Sequence, residues 1–270
     1  MRAQTPPLRP PITHFAALSW QHCDFRVLHC NWCALEVLTN PCNKHKQREQ
    51  CYHESAMTTP AQFLPASLQE RLRPQHGATL PAPRDAGAHV LYCMRTAYRS
   101  AANPSLETAL RCANELRVPL LCLAVLEDSF PAGLARIGMR PTDRATAFRL
   151  EALRELQPEI AARGSVLLVH VERDGSRQAA AQSLAARARL VIVDEHFGVE
   201  PHMSFADKVR RTGAPTWLCD CACTVPSRTL PAQALVGGNA GFLRATRDAR
   251  RARLAATPLA PARAATAPPP

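Results

Sequence analysis

The 270-residue sequence has no long apolar run. Its longest, VPLLCLAVL from Val118 to Leu126, is about half the roughly 20 residues a membrane-spanning helix requires, and no membrane partner is predicted. Glycine is scarce, at 11 residues, and no glycine-rich loop follows the first strand pattern. A dinucleotide fingerprint or Walker phosphate loop is therefore missing, which disfavours a conventional nicotinamide enzyme or nucleoside triphosphatase. Lysine is nearly absent: Lys44, Lys46 and Lys208 are the only three, so the formal charge of +11 is carried by arginine. Arginine with abundant alanine and 24 prolines is what a GC-rich coding sequence produces without any ligand to select it. No acidic residue precedes Asp24, as in a transit peptide, but this leader is proline-rich and serine-poor, and organelle import is not predicted.

The 11 cysteines are scattered among apolar runs and one amino-terminal cluster, unlike a secreted disulfide framework, so an intracellular reducing compartment is predicted. The cluster interleaves Cys23, Cys30, Cys33, Cys42 and Cys51 with His22, His29, His45 and His53. CNWC, Cys30–Cys33, has the two-residue gap of a zinc knuckle, and Cys42 with His45 would complete four ligands. That second pair stands at a spacing common in unrelated sequences, and the expectation is an unstructured leader with no metal site. Prolines crowd both ends, whereas the apolar runs fall between Ala88 and Thr224. Three regions are expected: a disordered Cys/His/Pro-rich extension over 1–84, an α/β domain over 85–230, and a basic linker with a low-complexity Ala/Pro/Arg tail over 231–270.

Within the middle region AHVLYCM (Ala88–Met94), VPLLCLAVL, VLLVHVE (Val166–Glu172), LVIVDEH (Leu190–His196) and the stretch Thr216–Cys219 read as strands buried on both faces. Helical patterns alternate with them. Asn103 is an N-cap with Pro104 at the first helical position, and Leu106, Leu110, Ala113 and Leu116 recur at helical spacing. Thr142–Arg163 carries Phe148, Leu153, Leu156 and Ile160 on one stripe, with Thr142 as cap, Gly164 as stop and Pro158 expected to kink or divide it. Ser176–Ala188 is a third helix, and Ser204 with Asp207 opens another that runs to Arg211. The fold class predicted is α/β: a five-stranded parallel, doubly wound, Rossmann-like sheet with helices on both faces and disordered terminal extensions.

Ligands of such sheets bind beyond the carboxyl ends of the strands, near the point where strand order reverses. The residues there are Arg95, Glu127 with Asp128, Asp194 with Glu195, and Asp220 with Cys221. No Ser-His-Asp or Cys-His arrangement stands at a recognisable spacing, so no catalytic residue is assigned, and His170 reads as a buried or edge histidine. The stretch TWLCDCACTVPSRTL, Thr216–Leu230, places Cys219, Cys221 and Cys223 at alternate positions. In an extended chain such sulfurs lie roughly 6.5 to 7 Å apart, too far for one tetrahedral zinc, whose thiolates approach within about 3.8 Å. A turn through Asp220 or Ala222 would still bring two of them together, so the segment reads as a strand that carries thiols, with a metal site as the open alternative.

One segment resembles a known family. MRTAYRSAANPSL, Met94–Leu106, is similar to the start of the photolyase and cryptochrome family, with Arg95, Arg99, Asn103, Pro104 and Leu106 in register, and the preceding VLYCM is similar to the VLYWM of class II photolyases. VPLLCLAVLEDSFP, AFRLEALRELQPEIAARG (Ala147–Gly164), VIVDEHFGVEP (Val191–Pro201), LCDCACTVP (Leu218–Pro226) and FLRATRDARRARL (Phe242–Leu254) resemble later family segments in the same order. Asp220 stands at the family's acidic strand-end position and Val225-Pro226 at the turn beyond it, and the resemblance implies that Cys219, Cys221 and Cys223 face a pigment cleft. Departures are Thr96 and Ala97 for the usual Arg-Asp pair, Ala102 for an Asp, and Cys93 for the class II tryptophan.

The resemblance implies an amino-terminal photolyase-type α/β domain related to light-dependent DNA repair or blue-light sensing. In that family a helical carboxyl-terminal domain holds FAD and accepts the flipped lesion, and the expectation is that this chain lacks it, binds no FAD and holds no cofactor tightly. An antenna folate or deazaflavin would bind weakly, with Arg95, Arg99, Asn103, Asp194 and Asp220 as the candidate binding residues. The expected partner is a separate or missing FAD-binding helical domain. Two other functions stay open: a universal-stress or electron-transfer-flavoprotein type of nucleotide module, with Asp194 or Asp128 near a ribose, and a basic adaptor making weak non-specific nucleic-acid contact through RATRDARRAR, Arg244–Arg253.

Overall fold

The computed structural model describes residues 63–75, 88–127, 141–173, 179–196, 202–236 and 238–268. The amino-terminal cysteine and histidine cluster, and Asp128, lie outside them. The described residues form one sheet of six strands: β1 (Leu72–Gln75), β2 (His89–Met94), β3 (Leu120–Leu126), β4 (Val166–Val171), β5 (Ala188–Asp194) and β6 (Thr216–Cys219). Their order is β1-β6-β5-β2-β3-β4, so the chain winds outward from β2 through β3 to β4 and then crosses back to β5 and β6. The reversal falls between β2 and β5, which are paired in parallel.

Alternation of side chains explains the layers. On one face Val90, Tyr92 and Met94 of β2, Cys122 and Ala124 of β3, Ile192 of β5 and Trp217 of β6 pack under α2 (Pro104–Leu116) and α3 (Asp143–Ala162). On the other, Leu91, Cys93, Leu123, Val191, Val193 and Leu218 pack under α4 (Ala180–Ala185) and α5 (His202–Arg210). The inner strands β2 and β3 are buried at every residue, which is why they read as continuous apolar runs instead of alternating ones. Cys93 packs in this second layer beside Leu91 and Val193.

The sixth strand is the main difference from the five expected. β1 pairs antiparallel with β6, Leu72 opposite Cys219 and Gln75 opposite Thr216, and Leu64 and Leu68, from the short helix α1 (Ala66–Gln69) and the turn before it, join the core. LRPQ is too short, and with one apolar residue and a proline too atypical, to announce a strand. Three smaller differences concern helices. The helix α3 runs unbroken past Pro158, Phe148 is 71% exposed instead of lying on the buried stripe of Leu153, Leu156 and Ile160, and α5 starts at His202, two residues ahead of Ser204.

Beyond β6 come two short 3₁₀ turns (Ser227–Thr229 and Ala232–Leu235) and the helices α6 (Gly238–Ala245) and α7 (Arg247–Ala255). Residues 260–265, within what is expected to be a disordered tail, lie back along α2. Ala262, Ala264, Thr266 and Pro268 are half-buried while Pro261, Arg263, Ala265 and Ala267 are exposed, the two-residue alternation of an extended chain. Ala262 and Ala264 touch the first core layer. At the C-terminal end of α3, Gly164 adopts φ +78°, and a Cβ there would meet the Ala264 carbonyl oxygen at 3.1 Å, so glycine both ends the helix and leaves room for the strap.

Candidate functional site

The carboxyl ends of β2, β5 and β6 form the region where a doubly wound sheet receives ligands, and five predicted residues converge there. Asp194, the last residue of β5, is buried, and its Oδ2 accepts hydrogen bonds from the backbone N–H groups of Arg95 (2.9 Å), Thr96 (3.0 Å) and Ala97 (3.2 Å). Its Oδ1 accepts from the Tyr92 hydroxyl at 2.9 Å. Burial, and then the neighbouring Asp194 carboxylate, push the Tyr92 phenol well above its ordinary range. The three N–H groups form a small anion cradle, and the protein fills it with its own carboxylate.

Asn103 caps α2 as the sequence predicts: Oδ1 accepts from Leu106 N at 3.0 Å. Its Nδ2 donates to the Tyr92 hydroxyl (3.1 Å) and to the carbonyls of Ala97 (3.1 Å) and Arg99 (2.9 Å). The loop from Arg95 to Asn103 is therefore pinned at both ends, by Asp194 and by Asn103. Arg99 lies on its exposed side and donates to Cys221 O at 2.9 Å, while Thr96 Oγ1 stands 3.1 Å from Cys221 Sγ. These contacts knit the loop after β2 to the loop after β6 across the end of β5.

Asp220 is equally engaged. Its Oδ1 accepts from Ala222 N (3.3 Å) and Cys223 N (3.0 Å), and its Oδ2 from Ser227 N (2.9 Å). Arg71 closes the same loop from the β1 side by donating to the carbonyls of Asp220, Cys223 and Thr224. The thiols expected to face a crevice do not share one environment: Cys219 lies in the core layer with Trp217, Cys221 is buried against Thr96, and Cys223 is half-buried. Burial pushes the Cys219 thiol up to about 12. Among the described residues no three His, Cys, Asp or Glu side chains are placed to hold a metal ion.

Arg95 points the other way from its backbone, toward β3. It is buried, pairs with Glu127 at 2.5 Å and lies 4.4 Å from the ring centre of Phe205 on α5. Burial raises the Glu127 carboxyl, but Arg95 and then Arg149 outweigh it and hold the group below its usual value. Arg149 of α3 also donates to the Tyr98 hydroxyl (2.7 Å) and to Val125 O (2.8 Å). Glu195 behaves oppositely: it is buried with one oxygen 2.7 Å from Arg73, and burial keeps its carboxyl above the ordinary range despite that arginine. Sequence reading named Arg95 and Glu127 but not their union, and it missed Tyr92, Arg149 and Phe205. Partners such as Arg149 and Glu127, 22 residues apart, or Tyr92 and Asp194, 102 residues apart, are too separated to leave a local signal. Tyr92 was the exception, since a tyrosine inside a doubly buried strand needs a hydrogen-bond partner.

The basic tract Arg244–Arg253 forms most of α6's end and α7. Arg253 pairs with Glu70, Arg250 donates to Leu243 O at 3.0 Å, and Arg247 pairs with Asp248 at 3.1 Å. Among the described residues no helix is long and apolar enough to cross a membrane.

The family model described as DNA photolyase matches residues 90–234, which spans β2 to the second 3₁₀ turn. A deoxyribodipyrimidine photo-lyase of Methanothermobacter thermautotrophicus is 34% identical over 105 residues, covering 39% of this chain and 21% of that relative's length. Among solved structures, the universal stress protein of Archaeoglobus fulgidus in complex with dAMP shares 16% identity at a TM-score of 0.33, over 50% of this chain and 100% of that one. A universal stress family protein of Burkholderia pseudomallei shares 22% identity at a TM-score of 0.30, over 48% of this chain and 94% of the other.

Proposed function

The chain belongs to the DNA photolyase family, and from that premise we propose that residues 85–230 act as a photolyase-type antenna domain, a rigid platform that binds a light-harvesting folate or deazaflavin weakly on its own. Light-driven repair of DNA would then require a helical FAD-binding domain, on this or another chain, docked over the strand ends. The observation that carries the reading is the pinned Arg95–Asn103 loop, the family's own motif, held over the β2/β5 reversal by Asp194 and Asn103.

The same geometry explains why binding should be weak. The N–H groups of the loop serve Asp194, the carboxylate of Asp220 serves its own turn, and Arg95 serves Glu127. What is left for a planar pigment is contact with side chains such as Phe205, on a surface that a second domain would have to close. Asp194, Asp220 and Asn103 in this reading shape the crevice, and Arg95 and Arg99 border it. Titrating the purified chain with a reduced folate, a deazaflavin and FAD, followed by absorbance and calorimetry, tests the proposal. Weak pigment binding without FAD binding is expected; tight stoichiometric FAD binding would overturn it.

The nucleotide-module reading is disfavoured because a phosphate would need the N–H cradle that Asp194 already occupies. An adenine nucleotide that raises the melting temperature of the unaltered chain would revive it. Weak nucleic-acid contact through Arg244–Arg253 is retained only as a salt-sensitive property of α7, since three of its arginines have partners within the chain.

A further inference from the structure

The hydrogen bonds that hold the strap formed by residues 260–265 run through its main chain. Arg111 donates to Ala260 O at 3.0 Å, and Arg163 donates to Ala262 O through Nε (2.9 Å) and Nη2 (2.7 Å). Ala262 N donates to Glu107 Oε2 at 3.1 Å, and Ala264 N to Arg163 O at 2.8 Å. The carboxamide of Asn114 does both jobs at once, donating to Arg263 O at 2.8 Å and accepting from Ala265 N at 2.7 Å. A carboxamide so placed reads the carbonyl of one residue and the N–H of the next but one, a pattern that only an extended peptide presents.

Selectivity comes from size instead of side-chain polarity. The half-buried positions are Ala262 and Ala264, and the floor beneath Ala264 is Gly164, where even a methyl group would crowd the Ala264 carbonyl. Pro261 falls on the outward side of the alternation, where its missing N–H costs no hydrogen bond. The polar side chains that make the groove also hold one another: Glu107 is ion-paired with both Arg111 and Arg163, and Arg163 donates to Ser100 O at 2.8 Å. With two methyl groups as its only apolar anchors, the strap gains little beyond its hydrogen bonds, and the cost of ordering its backbone is of similar size. Closure then depends on the tether, which keeps the peptide at high local concentration.

We propose that the groove along α2, lined by Glu107, Arg111, Asn114, Arg163 and Gly164, is a main-chain-reading peptide site, occupied in cis by residues 260–265 and open to an extended alanine- and proline-rich peptide in trans. This does not depend on any light-related role of the strand ends. The test uses the full chain and a fluorescent peptide of sequence TPLAPARAATAP, residues 257–268, read by anisotropy. Ala264→Glu places a charged side chain against Gly164 and weakens the cis strap without touching the groove; it should raise the peptide's affinity at least about tenfold over the unaltered chain, because the tethered competitor is removed. Adding Asn114→Ala, a surface change, should abolish that gain. Hydrogen exchange supplies an arm that needs no variant: the amides of Ala262, Ala264 and Ala265 should be protected in the unaltered chain. Exchange at the free-peptide rate, no peptide binding by the Ala264→Glu chain, or binding indifferent to Asn114→Ala would each overturn the proposal.

Discussion

Replacing Asp194 by alanine should be the most damaging single change at the strand ends. The substitution removes the acceptor of three buried or half-buried backbone N–H groups and of the Tyr92 hydroxyl. A buried donor left without a partner costs about 1 to 3 kcal/mol, but three of these share one oxygen and Tyr92 keeps its contact with Asn103, so full addition does not apply. A loss of about 3 to 5 kcal/mol is expected, the equivalent of roughly two buried donors left without a partner. Asp194→Asn should cost about 1 to 2 kcal/mol, because the amide oxygen can still serve the cradle while only the Tyr92 side must rearrange. Urea unfolding followed by circular dichroism measures both. Phosphate adds a second readout: at millimolar concentration it should raise the melting temperature of Asp194→Ala, whose cradle is vacated, and leave the unaltered chain unchanged. A loss below about 1 kcal/mol for Asp194→Ala, or equal phosphate stabilisation of both chains, would refute the reasoning.

Asn103→Ala removes the cap of α2 and three Nδ2 donations, and should cost about 2 to 4 kcal/mol in the same urea experiment. The pH dependence of stability should carry two opposed signatures. Arg95 and Arg149 hold the folded value of Glu127 below that of a free carboxyl, so its contribution is present above the free value and is lost as pH falls through the lowered one. Burial raises the folded value of Glu195 above that of a free carboxyl, so its contribution is present below the free value and is lost as pH rises through the folded one; Glu195→Gln should flatten that loss in thermal melts taken at rising pH from the free carboxyl value upward. Of the cysteines in the described residues, half-buried Cys223 should be alkylated first under native conditions, ahead of Cys93, Cys112, Cys122, Cys219 and Cys221, with mass-spectrometric mapping as the readout.

The architecture was legible wherever a residue's neighbours in sequence shared its fate. Doubly buried β2 and β3 read as apolar runs, and Asn103-Pro104 announced the start of α2, because a cap is a local arrangement. β1 was not legible, since its pairing with β6 is decided by residues across more than half the chain. The site divides in the same way. Asp194 and Asp220 could be picked out as acids ending strands, but their partners are backbone N–H groups, which every sequence possesses and no motif marks. The strap escaped for a related reason: its side chains carry no pattern because its main chain makes the contacts.

The antiparallel pairing of β1 with β6 bears on how the chain is made. Leu72 lies opposite Cys219, so the edge strand that leaves the ribosome first cannot find its place until the last strand has followed. Up to that moment the parallel core can assemble around β2, β3 and β5, but the side of the sheet that β6 and β1 will cover remains open to any other extended chain. Completion of the sheet is therefore expected to be a late, long-range event. Changes at Leu72 or Arg71 are expected to slow or misdirect that last step far more than they weaken the finished structure.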